Sequence, residues 1–195
     1  MKRRVLIAGE PVLPGYDGTM KDWLLFLLPL FLFSLCLSML YLGMRGVMEL
    51  GGFVATGGPY EIAHEAPKWV WIFPVSINVM VISMIASGTL GKKIRGPNLM
   101  SLSWSALFIS LGWNFTEYGI KALKEASTGI PWIICAVLFM IMGFLPLVII
   151  VMHFVEGLKE REVYPNVMPW KGKVIIQAVT AAGGVYLGIS FFSHL

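Results

Sequence analysis

The sequence predicts an all-α integral membrane protein, a bundle of five transmembrane helices with its N-terminus in the cytoplasm and its C-terminus outside. Three observations predict it. The 195-residue chain is 57% hydrophobic and 13% charged, with a mean hydropathy of +0.77, which is more apolar surface than the interior of a soluble domain this small can hide. Five runs between polar breaks approach the ~20 apolar residues needed to cross about 30 Å of hydrocarbon. Eleven of the fifteen Lys and Arg lie on one side of the alternation those runs create, and the positive-inside rule makes that side cytoplasmic.

The elements follow in chain order. Residues 1–22 form a cytoplasmic N-terminal segment in which "RVLIAGE" is a short β-like run ending in a turn between Pro11 and Gly18, too small to fold alone. The first span covers 23 to about 47. It starts too late and runs too long for a cleaved signal peptide, so it is expected to remain as a helix. The second span covers 69–90, the third 99 to about 119, the fourth 130–155 and the fifth 174–192. Trp23, Trp69, Trp71, Trp132 and Trp170 stand at or near span ends, where amphipathic rings prefer the headgroup region. Residues 23–195 therefore read as one multi-pass domain of a cell-membrane protein, with an ordered extracytoplasmic loop at 50–68.

Charge assigns the sides. The inner segments carry Lys2, Arg3, Arg4 and Lys21, then Lys92, Lys93 and Arg95, then Lys159, Arg161, Lys171 and Lys173, leaving Arg45, Lys68, Lys121 and Lys124 outside. No basic run exceeds Lys2-Arg3-Arg4, so the excess reads as topology and not as affinity for nucleic acid.

Packing signals are of several kinds. Ser83 and Ser87, Ser101 and Ser105, and Gly184 and Gly188 are small residues four apart, the spacing that lets helix backbones approach. Pro29, Pro74 and Pro146 lie within spans and are expected to kink them. Asn78 and Gln177 are placed for interhelical hydrogen bonds. Cys36 and Cys135, both mid-span, read as small hydrophobes.

Ionisable groups within spans are costly, which makes each a candidate for function. Arg45 and Glu49 are four apart on the first span and able to pair; Asn114, Glu117 and Lys121 recur at spacings of three and four on the third, so they share one face. Both stripes belong to the extracytoplasmic ends of their helices. The loop above them, "GGFVATGGPYEIAHEAPKW", begins at Gly51. Its paired glycines suit positive-φ turns, and Pro59 suits the first position of a helical turn that Pro67 would stop. In such a turn Glu61, His64 and Glu65 fall on one face beside Tyr60, with Gly58 and Pro59 setting the shape. The loop is expected to cap the polar helix ends, with Glu61 and His64 facing the bundle.

The candidate ligand-binding set is thus Arg45, Glu49, Tyr60, Glu61, His64, Glu65, Asn114, Glu117 and Lys121. If a metal binds, its ligands are Glu61, His64 and Glu65, a carboxylate and imidazole set suited to a divalent ion. A bis-histidine haem is disfavoured, because His64 and His194 fall outside and His153 inside, so no two imidazoles face each other across the bundle. The chain has no glycine-rich phosphate loop, no CxxC and no inverted repeat, and no catalytic residue is assigned.

Three functions remain open on this reading. The first is a transport or channel-type protein, a homo-oligomer in the bilayer, binding a small polar solute or ion at the outer ends of the first and third helices. The second is a non-catalytic accessory subunit of a larger membrane complex, docking through "RVLIAGE" and "LKEREVYPNVMPWKGK". The third is a membrane enzyme working through Glu61, His64 and Glu65.

Overall fold

The computed structural model describes residues 6–7, 10–11, 18–49, 67–90, 94, 98–125, 129–159 and 170–195. Five helices dominate: α1 (Met20–Glu49), α2 (Ile72–Leu90), α3 (Ser103–Glu125), α4 (Ile130–Lys159) and α5 (Trp170–Phe192), with a 3-10 turn at Leu99–Leu102 leading into α3. Near the N-terminus the β-like run forms a minimal antiparallel pair, β1 (Leu6–Ile7) and β2 (Glu10–Pro11), in the register Ile7 to Glu10. The chain is an all-α membrane protein by composition and length. Among the described residues four helices are long and apolar enough to cross a bilayer, namely α1, α2, α4 and α5.

The third expected span differs from the others. At 23 residues α3 is roughly 34 Å long, enough to cross hydrocarbon. Its second half, however, carries Asn114, Glu117, Lys121, Lys124 and Glu125, and this lowers its hydropathy below that of its neighbours.

Helix starts are set by local chemistry. Gly18 enters α1 at φ +81, a left-handed conformation that glycine adopts without a Cβ penalty. Thr19 and Asp22 then cap reciprocally: the Thr19 amide donates to Asp22 Oδ2 at 2.9 Å and the Asp22 amide to Thr19 Oγ1 at 3.3 Å, satisfying donors that the helix leaves open. Asn98 does the same before α3, accepting from the Met100 amide through Oδ1 at 2.9 Å.

The helices sort into two groups. In the first, α5 lies parallel to α1, with Gly184 and Gly188 against the α1 backbone. A Cβ on Gly184 would stand 2.5 Å from the Phe31 carbonyl oxygen, and one on Gly188 would strike Ser38 Oγ, so the small pair allows a close crossing. Trp69, in the turn before α2, covers Gly43 and Gly46 of α1 and meets the Phe192 ring of α5 at 5.5 Å. In the second group, α3 and α4 form an antiparallel hairpin with two opposed stripes of small residues. Ser105, Gly112 and Gly119 on α3 face Gly143, Ala136 and Gly129, and the pairs approach so closely that a Cβ on Gly112 would lie 3.2 Å from the Ala136 carbonyl oxygen. A ladder of rings runs down one flank, Phe115 to Phe139 at 5.1 Å, Phe115 to Trp132 at 5.6 Å and Trp104 to Phe108 at 4.5 Å.

The two groups meet where α3 approaches α1. At one end, Leu99, Met100 and Leu107 join the core of Leu30, Phe33, Cys36, Leu40 and Met80. There Gln177 of α5, fully buried, accepts the Leu99 amide through Oε1 at 2.8 Å, and Asn98 Nδ2 donates to the buried Ser87 of α2 at 3.3 Å. This is the Gln177 end of the bundle; the other is the Arg45 end.

Several packing expectations need correction. Pro74 sits in the first turn of α2, where its missing N–H is no loss, so only Pro29 and Pro146 lie inside helices. Asn78 makes no interhelical bond among the described residues, because it is exposed and donates to the Pro74 carbonyl one turn back at 2.7 Å. Ser101 is exposed, bonding to the Asn98 carbonyl, so Ser105 packs through the glycine stripe and not with Ser101. Cys36 is buried in the core, whereas Cys135 is exposed on α4.

Candidate functional site

The stripe Leu107, Ser110, Asn114, Glu117 and Lys121 recurs at alternating spacings of three and four, so it holds one face of α3. The glycine stripe on α4 takes the opposite side. That arrangement turns the polar stripe toward α1, and an ion pair marks the meeting: Arg45 Nη1 lies 3.7 Å from Glu117 Oε2. Arg45 Nε lies 3.7 Å from Glu49 Oε1 on its own helix, so one guanidinium stands between two carboxylates. Glu117 is held from its other oxygen, which accepts from Trp113 Nε1 at 2.8 Å.

Both ion-pair distances exceed the 2.7–2.9 Å of a close charge-assisted hydrogen bond. The side chains of Arg45 and Glu117 are 50% and 43% exposed, and pairs so placed contribute little stability. Deeper in the seam the situation reverses. Asn114, one turn below Glu117, is fully buried, and neither its Oδ1 nor its Nδ2 has a hydrogen-bond partner among the described residues. A buried amide in that state costs on the order of 1–3 kcal/mol for each unmet group.

Four of the expected residues are therefore placed together at the Arg45 end: Arg45, Glu49 and Glu117 in one cluster, Asn114 beneath them. Lys121 is exposed a further turn out and makes no ion pair among the described residues; Glu117, one turn back on the same face, pairs with Arg45 instead. Tyr60, Glu61, His64 and Glu65, and with them the metal set, lie outside the described residues, as does the loop as far as residue 66. Trp113, mid-way along α3, was not singled out from the sequence although its spacing of four from Glu117 was visible, because the polar stripe was read from its amide, carboxylate and ammonium alone.

A concavity lies away from these residues, on the far flank of the hairpin: a groove of about 420 Å³ lined by Ile133, Val137, Met140, Phe144 and Leu145 with Thr116 as its polar member. The Thr116 hydroxyl is already bonded to the Gly112 carbonyl at 2.8 Å. The groove offers an acyl chain a surface and a polar solute nothing. Comparison with known protein-family models, characterised proteins and solved structures finds no match to this chain.

Proposed function

We propose that this chain is a five-span cell-membrane protein of transport or channel type, with its N-terminus in the cytoplasm, that binds a small polar solute or ion at the extracytoplasmic ends of α1 and α3, under the loop at 50–68. The observation that carries the proposal is the buried Asn114, without a hydrogen-bond partner among the described residues, beneath a loosely paired Arg45, Glu49 and Glu117. Polar groups at membrane depth are expensive unless used, and this seam holds an amide whose donor and acceptor have no partner among the described residues. Support for α3 as a span comes from its direction. It runs parallel to α1, from Leu99 beside Gln177 to Glu117 beside Arg45, so it traverses the same depth. Placing Lys171 and Lys173 at the cytoplasmic Gln177 end agrees with the cation bias.

The test is uptake by the purified protein in liposomes from a defined mixture of amino acids, organic acids, amines and sugars, quantified by mass spectrometry. The Glu117→Gln variant, compared at equal incorporation, is expected to lose at least tenfold in uptake of whichever solute the native protein carries. Because the exposed pair contributes less than about 1 kcal/mol, its unfolding midpoint should barely move. Equal uptake by the two proteins would remove Glu117 from the site, and no uptake by either would remove the transport reading.

A further inference from the structure

The seam between α1 and α3 changes character along its length. In its Gln177 half it is closed by apolar packing of Leu99, Met100 and Leu107 and by the hydrogen bonds of Gln177 and Asn98. In its Arg45 half the described residues give it one ion pair at 3.7 Å, above a buried amide that has no hydrogen-bond partner among them. On either side of the seam the packing is of another kind. The hairpin of α3 and α4 is locked by opposed small-residue stripes and a ring ladder, and α1 is locked to α5 through Gly184 and Gly188. Close-packed helices move as units, so relative motion concentrates where contacts are few and replaceable by water.

We propose that the α3–α4 hairpin parts from α1 at the Arg45 end, turning about the hydrogen-bonded contacts at the Gln177 end, and that this opening makes Asn114 the deepest polar contact of the solute site. The inference rests on the solute-site reading above. It supplies what that reading lacks, a route by which a solute reaches a fully buried amide. Among the described residues, opening here breaks one weak ion pair and hydrates Asn114, whereas opening at the other end would strip an acceptor from the Leu99 amide and expose the apolar core. The closed structure therefore opens toward one side only.

The experiment is labelling by a membrane-impermeant maleimide, presented to each side in turn, of the full chain in sealed vesicles with Cys36→Ala and Cys135→Ala. Three single cysteines are compared: Asn114→Cys in the seam, Ser34→Cys between α1 and α5, and Ala136→Cys inside the hairpin, all three sites being buried. Asn114→Cys is expected to label from the Arg45 side at least tenfold faster than the other two. Should Asn114→Cys fail to assemble, Ser110→Cys, one turn deeper on the same face, takes its place. Equal rates at all three positions, or labelling from the Gln177 side, would overturn the proposal. Loss of uptake in Glu117→Gln with a protected Asn114→Cys would sink the opening and leave the solute site. Fast labelling with uptake unchanged in Glu117→Gln would do the reverse.

Discussion

Arg45, Glu117 and Asn114 differ in what the protein would lose with them. The two charged groups are about half exposed and held at 3.7 Å, so stability depends little on either. Asn114 has the opposite problem: it is a buried amide whose two polar atoms have no partner among the described residues. Replacing it by leucine, which is close in volume and carries no polar atom, is expected to raise the unfolding free energy by about 1 kcal/mol while abolishing solute uptake. Thermal unfolding in detergent checks the first and liposome uptake the second. A destabilised Asn114→Leu would mean that the amide is partnered and structural. The spacing of Asn114, Glu117 and Lys121 was legible in the sequence, as was the pairing of Arg45 with Glu49. The bond from Arg45 across to Glu117 was not, because intrahelical spacing says nothing about which helices are neighbours.

At the level of elements, the sequence located all five helices, with ends differing by a few residues, because each apolar run is long and bounded by polar breaks. It also identified Gly184 and Gly188 as a close crossing. The tighter contact, between α3 and α4, escaped notice because its small residues recur every seven positions, Ser105, Gly112 and Gly119 against Gly129, Ala136 and Gly143, whereas the pattern sought was a spacing of four. A seven-residue repeat keeps one face turned to one partner over several turns. Gly112→Leu places a side chain where a Cβ already stands 3.2 Å from the Ala136 carbonyl oxygen. It is expected to cost about 1–3 kcal/mol or more through overpacking, measured as a lowered unfolding midpoint, whereas Gly88→Leu, at a position with open space, should leave the midpoint nearly unchanged. Equal effects would show that the hairpin tolerates separation.

Across the whole molecule the fold class follows from hydropathy alone, since no soluble core could absorb these helices. The function does not, because a polar site in a membrane bundle is assembled from neighbours that hydropathy cannot order. What the assembled helices present is one seam, apolar and hydrogen-bonded at the Gln177 end, polar and underpaired at the Arg45 end. The central claim is that this chain itself holds a small polar solute there. Native mass spectrometry of the protein released gently from its own membrane tests it most directly, comparing the native sequence with Asn114→Leu. The expected result is an assembly of this chain alone that carries a polar small molecule, absent from the variant. Fixed stoichiometric partners of other sequence, with identical small-molecule content in both proteins, would contradict the claim and make the chain a subunit of a larger complex.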